Sequence, residues 1–320
     1  MDRKAIARET LEIMRQGYYL LPAAKTASKP SDASSASVGK RIDILDDMKH
    51  SIDASLLISP AEGEKLLKKY EKPGKDIEKS TDGRRKTKHK ITVENLAAVA
   101  AIRRLHEEGK ASIGVLNFAS AKNPGGGFLN GAMAQEESLA ASGTLYRALT
   151  RHEEYYRKNR AQSSMMYTDY AIYAPDVIFF RDENFRLAAE PVKASVLTLP
   201  AVNMGQILLK GEDPQQAEAA MKRRMKLALC IFAEQGAKHL VLGAYGCGVF
   251  RNDPRKIAAW WQTLLEEGMG DYFDSIFHAV LDRSRNQECI RAFEQFFSPL
   301  MDCSGCTEDN RPPSTFSGSR

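Results

Sequence analysis

The sequence predicts an α/β fold with parallel character. Two observations carry that reading: from residue 91 onward helical periodicities alternate with short apolar runs, and two of those runs empty into glycine-rich loops followed by new helix starts. An opening helix is expected over about residues 3 to 16. After it, KTASKPSDASSASVGK is poor in apolar residues and reads as a flexible loop. A second polar stretch, KPGKDIEKSTDGRRKTKHK, reads as a solvated linker, with a basic arm that steers an anionic polymer as the alternative.

ITVENLAAVAAIRRLHEEGK then has helical spacing and stops at Gly109, and SIGVLNFA reads as a buried strand running into the first glycine loop. QEESLAASGTLYRALTRHEEYYR reads as one helix, and SVLTLPAVN as another strand. Asp213, Pro214 and Gln216 mark a helix start, Ala217, Met221, Met225, Ala228, Leu229 and Phe232 line one face, and Gly236 ends it. HLVLGAYG is the next strand and leads into GAYGCGVFRN, with a helix start at Asp253 and Pro254. IFHAVLD and a last helix around CIRAFEQFF complete the pattern, and no internal repeat is visible.

A chain of 320 residues, 43% hydrophobic and 27% charged, can bury a full core. Its net charge of +5 favours phosphate-bearing partners without arguing for direct nucleic-acid binding. No apolar run approaches the ~18 residues of a membrane span. The N-terminus lacks the apolar core of a signal peptide, and Glu9 and Glu12 argue against a transit peptide. Five cysteines (Cys230, Cys247, Cys289, Cys303 and Cys306) are an odd number and suggest a reducing compartment, cytoplasm or nucleus. Cys303 and Cys306 form CSGC without a second zinc-spaced pair, the histidines show no metal pattern, and so neither metal nor cofactor is expected. The tail EDNRPPSTFSGSR reads as disordered.

In open α/β sheets, ligands bind where strands end and loops lead into helices. Glycines there admit positive φ and let backbone N–H groups approach an anion, and the following helix N-terminus adds a favourable dipole, so phosphate is the expected ligand. Neither GxxxxGK[ST] nor a well-placed GxGxxG is present. The first loop, NPGGGFLNGAMAQEE, also brings paired carboxyls. Glu136 and Glu137 open a helix, so their side chains point about 100° apart and cannot face each other across one sugar. One can act on a bond while the other holds substrate. The simpler reading is that both are dipole-stabilised first-turn acids.

Gly125, Gly126 and Gly127, then FLNGAMA, then Gln135, Glu136 and Glu137, resemble the GGG-x(6–8)-QEE signature of poly(ADP-ribose) glycohydrolases. The surrounding VLNFASAKNPGGGFLNGAMAQEESLA and the later LGAYGCGVFRND are similar to that family's microbial-type branch, over roughly residues 1 to 300. The resemblance implies a macrodomain-like three-layer α/β/α fold with a mixed central sheet and an N-terminal helical extension. The division it suggests is an extension over 1–90, a catalytic domain over 91–300 and a tail over 301–320.

It also implies hydrolysis of the ribose–ribose bond of poly(ADP-ribose), releasing ADP-ribose from poly(ADP-ribosyl)ated proteins. Glu137 would protonate the leaving hydroxyl and then deprotonate water, and Glu136 would hydrogen-bond the ribose. Gly125, Gly126 and Gly127 would let the loop wrap the diphosphate and distal ribose, and Gln135 is a further substrate-binding candidate. Gly246, Cys247, Gly248 and Val249 would supply backbone donors opposite, Phe250 would pack beside the ribose, and Asn123 is a further candidate. A general acid needs a proton near pH 7, and since a glutamate starts near ~4.3, its surroundings must raise it. One of Tyr155, Tyr156, Tyr167, Tyr170 and Tyr173 is a candidate for lining an adenine pocket. A non-catalytic ADP-ribose reader and a hydrolase of mono-ADP-ribosyl links are the alternatives, and a monomer is the default.

Overall fold

The computed structural model describes residues 2–22, 39–71 and 89–297. Most of the two polar stretches near residues 25–40 and 72–90, together with Cys303, Cys306 and the tail, lie outside the described residues. In chain order the helices are α1 (Arg3–Gln16), α2 (Leu45–Asp53), α3 (Pro60–Lys69), α4 (Ala98–Glu107), α5 (Gln135–Ser142) and α6 (Leu145–Arg151). They continue with α7 (Glu153–Arg160), α8 (Met204–Leu209), α9 (Pro214–Glu234), α10 (Pro254–Glu266) and α11 (Glu288–Phe297). The strands are β1 (Tyr18–Leu21), β2 (Lys40–Asp43), β3 (Leu56–Ile58), β4 (Lys90–Glu94), β5 (Ile113–Ala119), β6 (Ala171–Arg181), β7 (Leu187–Pro200), β8 (His239–Leu242) and β9 (Ser275–Ala279).

Seven strands form one sheet in the order β3-β6-β7-β5-β8-β9-β4. The run from β7 to β4 is parallel throughout, whereas β6 is antiparallel to both β7 and β3, so the sheet is mixed. Alternation along each strand feeds two cores. Leu116, Leu197, Leu240 and Leu242 face one cluster with Met221, Met225 and Phe232 of α9 and Trp261 of α10. Val115, Val196 and Val241 face the other, with Ile102 of α4, Leu139 of α5, Leu149 of α6 and Tyr155 of α7. Helices therefore cover both faces, as the near-continuous apolar strands require.

Long, well-capped elements follow their sequence signals. In α9 the Asp213 side chain accepts from Gln215 N–H, Pro214 stands at the first turn, and the six residues of the expected apolar face are all buried. Three segments differ from expectation. ITVE of the supposed long helix is strand β4, paired in register with β9 from Lys90↔Ser275 to Glu94↔Ala279, because three β-branched residues extend the sheet edge. The helix expected over QEESLAASGTLYRALTRHEEYYR is three helices. Gly143 breaks it in extended conformation (φ −158°, ψ −162°) and bridges to Phe179, where a Cβ would strike the Ile178 carbonyl. β6, absent from the sequence reading, runs through Pro175 and Asp176 with a register shift between Ala174 and Val177. That bulge places a turn-like pair of residues inside a strand.

The N-terminal segment shares the same body. β3 is an edge strand of the central sheet, and Ile6 and Ala7 of α1 pack with Phe128, Ala140 and Ala141.

Candidate active site

β5 and β8 are adjacent parallel strands, so the loops that leave them emerge side by side at one end of the sheet. The ring of Phe118 at the end of β5 lies 5.6 Å from that of Tyr245 in the loop after β8. This junction collects both glycine loops.

The first loop folds back on its own carboxyls. Gly125 and Gly126 have φ of +65° and +59°, a left-handed pair that side chains resist. A Cβ on Gly126 would overlap the Glu137 carboxylate and stand 3.2 Å from Glu136 Oε2, so the loop approaches both acids only because it has no side chain there. A Cβ on Gly127 would come 2.8 Å from the Cβ of Ala132. Gly127 N–H donates to Glu137 Oε1 at 2.9 Å, and Ala134 N–H donates to Glu137 Oε2 at 3.1 Å, the latter being half of a capping box. The glycines and the glutamates therefore form one hydrogen-bonded unit.

Glu136 is deeper, only 3% exposed. Its Oε2 accepts from Ser120 N–H at 2.6 Å and its Oε1 from Asn117 Nδ2 at 3.3 Å. Burial pushes its carboxyl up to about 8, with the neighbouring Glu137 carboxyl adding to the rise and the bonds from Ser120, Asn117 and Gly125 opposing it. Glu136 therefore carries its proton at neutral pH. Asn117 Nδ2 also donates to Thr198 Oγ1 on β7 at 3.1 Å, tying the acid to two strands.

Gln135 is used by the scaffold. Its Nε2 donates to Leu116 C=O at 2.7 Å and its Oε1 accepts from Phe118 N–H at 2.9 Å, so the amide bonds β5 as a strand residue would. That fixes α5 to the strand end. Asn123 is exposed, and its backbone closes the turn into the glycines: Gly126 N–H donates to Asn123 C=O at 3.0 Å.

The second loop is pinned from below and open above. Gly246 has φ +74°, and a Cβ there would meet Asn252 Nδ2 at 2.6 Å and Ala201 Cβ at 2.7 Å. Asn252 Nδ2 donates to Val202 C=O at 2.8 Å and to Gly246 C=O at 3.0 Å, and Tyr245 hydroxyl donates to Leu199 C=O at 2.9 Å. Gly248 has open space around it and Val249 is 84% exposed, so the tip reaches solvent. Cys247 is half-buried and its thiol is pushed far up by burial, which suits packing better than nucleophilic chemistry. Phe250 lies 6.2 Å from Tyr167, ring to ring and tilted by 40°. Tyr167 holds a left-handed φ of +59°, unusual for an aromatic residue. Tyr155 and Tyr156 are fully buried core residues instead.

Sequence reasoning missed Asn117, Ser120 and Thr198. Asn117 carried a signal, a polar amide inside an otherwise apolar buried strand, since such a group must find a partner. Among the described residues, no group of three or more His, Cys, Asp or Glu is placed to hold a metal ion. No described helix is long and apolar enough to cross a membrane.

The family model of the microbial-type PARG (poly(ADP-ribose) glycohydrolase) catalytic domain matches residues 7–182. The chain is similar to the solved poly(ADP-ribose) glycohydrolase of Thermomonospora curvata, at 33% identity and a TM-score of 0.80, covering 92% of this chain and 99% of that one. The same enzyme bound to the inhibitor ADP-HPD aligns at 33% identity and a TM-score of 0.79, over 92% and 99% of the two chains. The poly(ADP-ribose) glycohydrolase of Deinococcus radiodurans in complex with ADP-ribose aligns at 37% identity and a TM-score of 0.69, covering 78% of this chain and 97% of that one. No protein among the curated sequences matches the chain.

Proposed function

Because this chain belongs to the microbial-type poly(ADP-ribose) glycohydrolase family, we propose that its two glycine loops hold the terminal ADP-ribose of poly(ADP-ribose) while Glu137 and Glu136 act on the ribose–ribose bond. The observation that carries this reading is how closely the loop passes both carboxyls: a Cβ on Gly126 would overlap that of Glu137 and stand 3.2 Å from Glu136 Oε2, and Gly127 N–H donates to Glu137 at 2.9 Å. A loop made only to bind a diphosphate has no need of acids against its backbone.

Glu137 is the half-buried member of the pair, held at the loop by Gly127 N–H. In the proposed reaction its carboxyl gives a proton to the leaving ribose oxygen as the glycosidic C–O bond breaks. The resulting carboxylate takes a proton from water as the water oxygen bonds to the anomeric carbon, and the products are ADP-ribose and a polymer shortened by one unit. Water is the only co-reactant. Glu136, which keeps its proton near neutrality, donates a hydrogen bond to a ribose hydroxyl and holds the sugar. Gln135 serves by anchoring α5 to β5, and its amide is not free for substrate.

On this reading Gly246, Gly248 and Val249 present backbone N–H groups to the diphosphate from the opposite side, while Cys247 N–H is engaged, donating to Ala244 C=O at 3.1 Å, and Asn123 borders the ribose. Phe250 and Tyr167 form a corner for the ribose and base. Their 6.2 Å separation is too small to hold a base sandwiched between the two rings. Poly(ADP-ribosyl)ated proteins are the partners, and a reducing compartment, cytoplasm or nucleus, fits the free Cys230, Cys247 and Cys289. The catalytic body, expected over 91–300, would also take in β3 of the N-terminal segment, which lies in its central sheet, with α1 packed on it.

The test is to supply poly(ADP-ribosyl)ated and mono(ADP-ribosyl)ated proteins and to measure free ADP-ribose. Release from the polymer alone supports the reading. Binding without release would make the chain an ADP-ribose reader, and release from the mono-modified protein would redirect the activity to protein links.

A further inference from the structure

α5 has eight residues, with Glu136 and Glu137 in its first turn and Ala141 one helical turn beyond Glu137. Whatever fixes the far end of so short a helix also fixes where its carboxyls point. The last carbonyls of a helix have no partner within it, and α5 stops at the extended Gly143. The Ala141 carbonyl is met from outside, by the hydroxyl of Thr10, which donates to it at 2.8 Å.

Thr10 lies on α1, fully buried and 131 residues away in sequence. Its hydroxyl oxygen also accepts from Arg181 Nε at 3.3 Å. Arg181, at the end of β6, is itself only 2% exposed, donates through Nη1 to Phe185 C=O at 3.0 Å and pairs through Nη2 with Glu9 at 2.7 Å. One hydroxyl thus joins the sheet, the N-terminal helix and the helix of the two acids. Apolar packing follows the same line: Ile6 and Ala7 of α1 cluster with Ala140, Ala141 and Phe128, and Arg3 and Lys4 lie against the Gly131 turn that leads from the glycine run to α5.

We propose that Thr10 is a positioning residue for the glycohydrolase reaction, acting through the Ala141 carbonyl to hold the Glu137 carboxyl at its aim from the opposite end of α5. The inference rests on Glu137 being the acid. Removing the hydroxyl leaves a buried carbonyl and a buried guanidinium N–H without a partner at one joint, and α5 relieves this by tilting. The same joint makes α1 part of the catalytic apparatus without touching substrate.

Thr10→Val keeps the shape and removes the hydroxyl, while Thr10→Ser keeps the hydroxyl and removes a methyl. A misplacement of under 1 Å is expected to lower kcat on poly(ADP-ribose) by ~10-fold in Thr10→Val, with KM and ADP-ribose affinity within ~2-fold. Thr10→Ser should return kcat to within ~2-fold of the parent, even though the lost methyl costs stability. A purely packing role predicts the reverse order, with valine active and serine impaired, and that result overturns the proposal. If the parent chain releases no ADP-ribose, the hydrolase reading fails on its own. Amide exchange over α5 then decides the joint: ~10-fold faster exchange in Thr10→Val than in Thr10→Ser supports it, and equal exchange overturns it. Should Thr10→Val not fold, Glu9→Gln loosens the same Arg181 joint from its exposed side. A kcat loss of ~2-fold or more at unchanged KM supports the role, and unchanged kcat counts against it.

Discussion

Glu136 and Glu137 are neighbours in the chain, yet their surroundings differ at every bond. Glu136 lies against Ser120, Asn117 and, through Asn117, Thr198, and burial holds its proton, whereas Glu137 sits at the loop between Gly127 and Ala134. Replacing Glu137 by Gln keeps its size and removes the transferable proton, so turnover is expected to fall by ~10²-fold or more while ADP-ribose affinity, read by calorimetry, stays within a few-fold. Loss of binding in that variant would instead make Glu137 a ligand-holding residue. Gly126→Ala is the complementary change. Its Cβ would overlap the end of the Glu137 side chain, which can swing away, and its φ of +59° adds strain. The variant is expected to lose ~1–2 kcal/mol of stability in urea titration and, because the acid is displaced, at least ~10-fold in kcat. Full activity with Ala at position 126 would show that the contact is incidental.

At the scale of elements, α5 is held at both ends by side chains foreign to ordinary helix capping. Gln135 bonds the edge of β5 at its start, and Thr10 meets Ala141 near its end. Gln135→Leu leaves Leu116 C=O and Phe118 N–H without those bonds, and the expected cost is about 1–3 kcal/mol in chemical denaturation. A change below ~0.5 kcal/mol would mean that water or the backbone replaces the amide. Element boundaries also show where sequence legibility ended. α9 could be read from Asp213 to Gly236 because its caps and apolar face are local. The break at Gly143 was illegible, since it is set by the Ile178 carbonyl, which comes from a strand that the sequence did not reveal. β6 was hidden for a related reason: its Pro175–Asp176 bulge interrupts the alternation that marks a strand.

Across the whole molecule, two buried groups set opposing pH dependences. Glu136 rises from 4.5 to about 8, so the stability it contributes is complete below 4.5 and is lost as pH climbs to about 8. His278 on β9 is fully buried, stacked 4.3 Å from Phe297, and burial lowers it from 6.5 to about 3. Its contribution is complete above 6.5 and is lost as pH falls towards 3. Between 4.5 and 6.5 the two slopes cancel, so these groups together produce a plateau in melting temperature flanked by a decline on each side. Glu136→Gln should remove the alkaline decline up to about pH 8, and His278→Leu the acid decline below about 4.5. Scanning calorimetry from about pH 3 to about pH 9 reads both, and a variant with the parent's pH profile would show that its group does not titrate as described.

By itself the sequence determined what depends on neighbours along the chain. The α/β class, the capped helices, the two glycine loops and the family resemblance carried by GGG and QEE all follow from local spacing and periodicity. Tertiary structure alone decided what depends on residues far apart. It brought Gly126 onto both carboxyls, buried Glu136 beside Asn117 and Thr198, turned Gln135 into a clamp on β5, and set Thr10 against Ala141 across 131 residues. The physical reason is that hydrogen-bond satisfaction and burial are properties of the packed volume. A sequence shows which groups need partners, and only packing fixes which partners they meet.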